Sequence, residues 1–268
     1  MDISLLRILI SLVILSLLFG AIEFAAPALP AQRRLRSGWR TDLGYWLLTP
    51  VFTRQTTRLA VVLVLLPLLW LVGRPLQREQ LLVGFGPVAQ WPFAVQVMAV
   101  VVSADFIGYW CHRAFHREGL WPFHAIHHSS TELDWLSAVR VHPVNDALTT
   151  VAQAVPLILL GFPPMVAAAY APLLTLYAIG LHANVSWDFG PLRRVISSPR
   201  FHRWHHTSAQ EGLDRNFAGL LPIWDQLFGT FYMPRDRQPT RFGTTTPVPA
   251  RFWAQLLWPF RQKRGQIG

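Results

Sequence analysis

Residues 3–28 are almost wholly apolar, and Arg7 and Glu23 are the only charges among them. A helix of that length crosses a hydrocarbon core of roughly 30 Å. The small-residue triplet Ala26-Pro27-Ala28 allows a second interpretation, a cleaved leader, although the apolar runs downstream keep the chain in a membrane either way. Residues 31–58 read as a loop, and residues 59–72 as a second, short apolar run that can gain a turn at the interface from 55–58. Residues 73–90 form another loop, where Arg74 and Arg78 are offset by Glu79. Residues 91–110 make a third span with Trp91 and Trp110 at its ends and one acid, Asp105, inside. Two further apolar runs, 144–160 and 165–181, flank Gly161-Phe162-Pro163-Pro164, a strong turn signal, so they predict a membrane hairpin. No repeat of fixed period is visible.

This pattern predicts an all-α polytopic membrane bundle of about four spans, or three plus a membrane hairpin. Composition agrees. Of 268 residues, 52% are hydrophobic and 14% charged, where a soluble domain carries about a quarter charged. The net charge of +10 raises the question of nucleic acid, but the basic residues are scattered between apolar runs, so nucleic-acid binding is not expected. Six arginines (Arg33, Arg34, Arg36, Arg40, Arg54 and Arg58) face a single acid, Asp42, in the 31–58 segment. The positive-inside rule makes that segment cytoplasmic, against anionic lipid headgroups. The basic tail (Arg251, Arg261, Lys263 and Arg264) reads as a solvated or headgroup-facing end. Arginine outnumbers lysine 23 to one, a composition common in GC-rich bacteria, which suggests a bacterial inner membrane. The one cysteine, Cys111, excludes an intrachain disulfide; it reads as a small packed hydrophobe, with a thiolate ligand as the alternative.

Histidine changes the picture. All ten lie between His112 and His206. Three clusters stand out: His112 and His116 as HxxxH, His124, His127 and His128 as HxxHH, and His202, His205 and His206 as a second HxxHH. Positions i and i+3 or i+4 share a helix face, so each cluster aims two or more imidazoles one way. Neutral imidazole is the commonest side-chain metal ligand and suits Zn, Fe, Cu and Ni. Eight imidazoles, with His182 as a ninth, are enough for two ions. His142, just before Pro143, joins the candidate ligands, with helix capping as the alternative. Counting spans brings every histidine to the cytoplasmic side as a metal-binding cap. Asp105 sits two helical turns before His112 and can accept the N–H of a ligand imidazole. There is no HExxH, so the zincin glutamate base is missing.

These residues carry a resemblance. The segments 105–116 (DFIGYWCHRAFH), 120–130 (LWPFHAIHHSS), 139–143 (VRVHP), 181–184 (LHAN), 201–206 (FHRWHH), 214–219 (DRNFAG) and 224–231 (WDQLFGTF), in that order, resemble the fatty acid hydroxylase and sterol desaturase superfamily. The resemblance covers roughly 95–234, which divides the chain into N-terminal spans with a basic loop (1–90), a catalytic unit (91–234) and a basic tail (235–268). It implies a histidine-held centre of two iron ions at the cytoplasmic membrane surface, with zinc as the alternative in isolated protein. It also implies O2 as co-substrate, a lipid substrate that is hydroxylated or desaturated, and electrons from a separate ferredoxin or b-type cytochrome with its reductase. Asp105 and Asn184 are the candidate catalytic residues beside the ligands. The rivals are a membrane zinc hydrolase using metal-bound hydroxide, and a metal transporter or store, which would need polar residues within the spans such as Glu23 and Asp105.

Overall fold

A computed structural model describes residues 5–71, 73, 83–117 and 119–262. Ile3, Val72, Arg74, Arg78, Glu79, Lys263 and Arg264, invoked above, lie outside the described residues. Nine α-helices are present among the described residues: α1 (Leu5–Ala25), α2 (Trp39–Leu71), α3 (Phe93–Phe115), α4 (Trp121–His128), α5 (Pro143–Leu159), α6 (Pro164–His182), α7 (Pro199–His205), α8 (Ile223–Leu227) and α9 (Phe252–Leu257). Strand structure among the described residues is limited to two isolated bridges, Pro27 with Val185 and Thr207 with Phe242. The fold is all-helical, as the apolar pattern predicts.

α1, α2, α3 and α6 are long and apolar enough to cross a membrane. They leave large apolar side chains bare, among them Leu17, Phe24, Trp70, Met98 and Leu173. A soluble monomer rarely exposes so much apolar surface; lipid tails cover it here. α5 has 17 residues, packs on α2 and α3, and is joined to α6 by the Gly161–Pro163 turn. Gly161 has φ of +98°, and a Cβ there would collide with the Phe85 carbonyl, so glycine is required where the hairpin tip meets the segment leading into α3. Phe85 N–H donates to Gly161 O at 3.0 Å, and Trp91 meets Phe162 edge-on. The tip therefore lies at the level where α3 begins, and the other ends of α3, α5 and α6 carry His112, His142 and His182 to the opposite face.

The 31–58 loop is a correction. α2 begins at Trp39, about twenty residues before the apolar run at 59, and Arg54 and Arg58 lie inside the helix. Its 33 residues span roughly 50 Å, more than a bilayer core. The first turns are amphipathic rather than apolar: Tyr45 and Trp46 are buried on one side, while Arg40 and Phe52 face out. Pro50 and Pro67 sit within the helix without ending it.

The start of α2 is tied to the histidine cap by a buried ionic network. Asp42 accepts from Arg36 Nη2 and Arg140 Nε at 2.5 Å each, and Arg36 Nη2 also donates to Asp134 Oδ1 at 2.7 Å. Phe19 stacks on Trp135 and Trp46 meets it edge-on, joining α1 and α2 to the 135–139 turn. The basic segment around Arg36 and the cap thus occupy the same side.

Candidate metal centre

Local sequence sets the short helices of the cap. Pro122 and Pro199 stand at helix starts, where a missing N–H costs nothing, and the Ser198 hydroxyl accepts from Phe201 N–H as an N-cap. Both helices are too short to be stable alone. They are held because His124, His127 and His128 on α4, and His202 and His205 on α7, are buried against each other with His206 just beyond.

The imidazoles gather into two groups. His112, His116, His124, His128 and His205 place one ligand nitrogen each within 4.8 Å of one another, and so do His127, His182, His202 and His206. The grouping crosses the sequence clusters, because neighbours 127 and 128 point to different groups. In the first group the Nε2–Nε2 separations are 3.1 Å (His112–His124), 3.2 Å (His124–His128) and 3.0 Å (His128–His205). In the second they are 3.2 Å (His127–His182), 3.0 Å (His182–His202) and 3.1 Å (His202–His206).

The opposite edges of the rings fix the tautomers. His112 Nδ1 donates to Phe217 O at 2.7 Å, His205 Nδ1 to Arg215 O at 2.8 Å, His127 Nδ1 to Arg140 O at 3.1 Å and His182 Nδ1 to Ala178 O at 2.8 Å. A carbonyl oxygen only accepts, so each Nδ1 carries the proton. The Nε2 of a neutral ring then presents a bare lone pair. His127 and His182 thus aim two lone pairs at each other from 3.2 Å, an arrangement that repels unless a cation lies between them. Burial, reinforced by neighbouring imidazoles, holds His124, His127, His128, His202, His205 and His206 well below the ordinary histidine pKa, so the rings are neutral at pH 7. His116 Nε2 is buried without a hydrogen-bond partner among the described residues.

Size fits as well. With metal–nitrogen bonds of about 2.1 Å, adjacent ligands stand about 3.0 Å apart at right angles and about 3.4 Å apart in a tetrahedron. The observed separations lie near the right-angled value. Five imidazoles also exceed the four that a structural zinc site takes. Neither group includes a carboxylate, and Cys111 belongs to neither.

One strap positions three of the five rings of the first group. Asp214 and Asn216 have φ of +53° and +60°. The Asn216 amide donates to Phe201 O and Tyr232 O, and the Asp225 carboxylate accepts from Phe217 N–H, Ala218 N–H and Thr230 Oγ1. So shaped, the strap turns Arg215 O to His205, Phe217 O to His112, and the Asp214 carboxylate to His116 Nδ1 at 2.8 Å. The Asp214 side chain is 72% exposed, and its hydrogen bond with His116 holds the carboxyl below the usual range. His124 Nδ1 is held in turn by Asn145 Oδ1 at 2.9 Å. A mouth of about 250 Å³, lined by His116, His128, His205 and hydroxyls such as Thr207 and Thr244, opens over the first group.

Three expected site residues lie elsewhere. Asp105 meets no imidazole: it accepts from Leu220 N–H, Leu221 N–H and Trp224 Nε1, pinning the chain just after the strap. His142 is outside both groups; its Nδ1 accepts from Val144 N–H as the N-cap of α5, and its Nε2 donates to Leu256 O, so the capping alternative describes it. Asn184 clamps the chain after α1, exchanging hydrogen bonds with Leu29 while its N–H donates to Glu23. Asp214, Asn145 and Asp225 were not singled out from the sequence as site residues, although 214–219 and 224–231 lay in the quoted motif text.

The family model for fatty acid hydroxylase matches residues 97–230, half of the chain. The chain belongs to the fatty acid hydroxylase family. It is 38% identical to ornithine lipid hydroxylase OlsE of Rhizobium tropici, over 65% of this chain and 53% of that protein. It is 34% identical to alkylglycerol monooxygenase of Danio rerio, over 65% of this chain and 39% of that protein. A more distant relative, very-long-chain aldehyde decarbonylase GL1-6 of Oryza sativa, is 26% identical over 52% of the chain and 24% of its own length. The chain thus spans about half or less of the curated relatives it matches. No solved structure matches.

Proposed function

We propose that this chain is a membrane-embedded lipid oxygenase with two iron ions in its cap, one in each histidine group. The observation that carries the reading is the pair of groups whose bare Nε2 atoms converge at 3.0–3.2 Å. Iron so held would supply the reduction of O2 and oxidation of an aliphatic C–H bond, chemistry that acid–base side chains cannot perform. Hydroxylation consumes one O2, two electrons and two protons, and yields the alcohol and water.

The protein's own part is to hold the imidazoles neutral, fix their tautomers and bury them from water. Burial does the first, and the carbonyls of Arg140, Ala178, Arg215 and Phe217 do the second through Nδ1. Such partners raise the basicity of the ligating nitrogen. Asp214 links His116 to solvent through one carboxylate, a place where a proton can be held at Oδ1. The named lipid-acting relatives support a lipid substrate, with electrons from a separate ferredoxin or b-type cytochrome with its reductase. The arginine-rich entry into α2, on the same side as the cap, supports a cytoplasmic site in a bacterial inner membrane. The five imidazoles of the first group, more than a tetrahedral zinc takes, favour this over the zinc hydrolase.

Metal analysis and Mössbauer spectroscopy on anaerobically purified protein test the proposal. Two iron ions per chain are expected, with one falling away in His127→Ala and the other in His205→Ala. A single tetrahedral zinc, or full metal content in both variants, would overturn it.

A further inference from the structure

We infer that the cleft between α3, α5 and α6 seats a lipid acyl chain carrying a hydrogen-bond donor, an amide N–H or a hydroxyl, which Asp146 reads. The cleft has a volume of about 590 Å³. Its α6 wall runs from Ala167 to Ala178, roughly 16 Å along the helix. Ala167, Ala171, Thr175 and Ala178 line it, small side chains that let a chain lie close, and all four are exposed. Leu157 and Leu174 complete an apolar wall.

α5 contributes the opposite chemistry. Asp146, Thr150 and Gln153 follow the helical i, i+4, i+7 pattern and face the same cleft. Asp146 Oδ2 accepts from Thr57 Oγ1 at 3.1 Å, and its Oδ1 has no hydrogen bond among the described residues. Gln153 Nε2 donates to Ala104 O at 2.8 Å, and its Oε1 is likewise free among the described residues. Polar groups at this depth are costly unless they serve a ligand or pathway. Both of these oxygens accept, so the occupant they read brings a donor, while the Thr150 hydroxyl and the second N–H of Gln153 can meet that occupant's own carbonyl or hydroxyl oxygen. An ester- or ether-linked chain offers none, whereas an amide-linked or hydroxylated chain does.

The cleft also ends in the right place. Ala178, at its inner end, supplies the carbonyl that holds His182, and Asn145, next to Asp146, holds His124. A chain read at Asp146 therefore lies directly beneath both histidine groups. This deepens the proposed lipid oxygenase by naming the chemistry of its lipid, and rests on that reading for its purpose.

The test uses the full chain in nanodiscs and two photoreactive probes: a diazirine-bearing palmitoyl chain joined to ethylamine as an amide, and the same chain as its ethyl ester. Crosslinked peptides are mapped by mass spectrometry. The amide probe should label α5 and α6 about ten-fold above the ester, the value of one hydrogen bond. Asp146→Leu should bring that ratio near one. Thr57→Val, which removes only the helix tie, should keep it, and a ratio lost equally in Thr57→Val would reduce Asp146 to a structural role. Equal labelling by the two probes in wild type, or labelling away from α5 and α6, would overturn the inference. Labelling needs no turnover, so a protein that labels as expected yet oxidises no lipid would fail the functional proposal alone.

Discussion

Replacing Asp42 by Asn tests whether the buried ionic network supports the second histidine group. Asp42 is fully buried and faces two guanidinium groups at 2.5 Å, with Asp134 balancing Arg36 from the other side. Two cations and two anions are neutral together; losing the Asp42 charge leaves one buried positive charge uncompensated. Breaking a buried pair by removing one partner costs about 3–5 kcal/mol. For a chain of this size that is roughly 6–20 °C in melting temperature, at about 2–4 °C per kcal/mol. A further consequence is local. Arg140, one of the two freed cations, supplies the carbonyl that holds His127 Nδ1. A loosened Arg140 weakens that hold, and loss of such a partner costs about 10–100-fold in metal affinity. Asp42→Asn should therefore melt early and lose metal from the second group while the first keeps its ion. Differential scanning fluorimetry in detergent and metal titration with a competing chelator read the two effects. Melting within about 2 °C of wild type with both ions retained would refute the reasoning, as would equal loss from both groups.

Other perturbations reach other parts of the cap. Asp214→Asn keeps a hydrogen bond to His116 but not its charge, so turnover should drop about 10–100-fold with metal content near wild type, as read by lipid oxidation assays beside metal analysis. In chelated protein the buried imidazoles stay neutral while the unfolded chain protonates near pH 6.5. Their folded values are depressed, so the unfolded state binds more protons below that pH and stability falls as pH drops. Melting of the apo form should move down steadily from pH 7 to 5; a flat profile contradicts the neutral-ligand assignment. Asp105→Asn gives up acceptance for at least one of three N–H donors, a loss of about 1–3 kcal/mol. It should lower the melting temperature of the metal-loaded protein with little change in metal affinity; a selective loss of metal at full stability would restore a direct role for Asp105 at the ligands.

The apolar helices and the gathering of the histidines at one end of them were legible in the sequence because hydrophobic runs, Trp91, and the Gly161–Pro164 turn are local signals. The beginning of α2 was not. Residues 39–58 mix arginine and threonine with apolar positions, and by composition they look like a loop. Their helical order comes from contacts far along the chain: Trp46 on Trp135, Tyr45 on Phe252, and Asp42 between Arg36 and Arg140. A helix whose pattern is set by such tertiary partners shows no clean period when read alone.

The clustering of the imidazoles was legible for a related reason, and its supports were not. Imidazoles announce themselves by type and i, i+3 or i+4 spacing. What orients them here is mostly backbone carbonyl oxygen, which every residue carries and no sequence marks. Arg140, Ala178, Arg215 and Phe217 serve through their main chains, so their side-chain identities are beside the point. Acidic side chains, by contrast, attract attention at once, and Asp105 drew the second-layer role by lying two turns from His112. Its actual duty is to receive the N–H groups of Leu220 and Leu221. With Asp225 it fixes the segment from which Phe217 O reaches His112. Asp105 and the imidazole are thus connected through the strap, without contact. Helical spacing alone could not distinguish that route from a direct one, because the strap arrives from more than a hundred residues away.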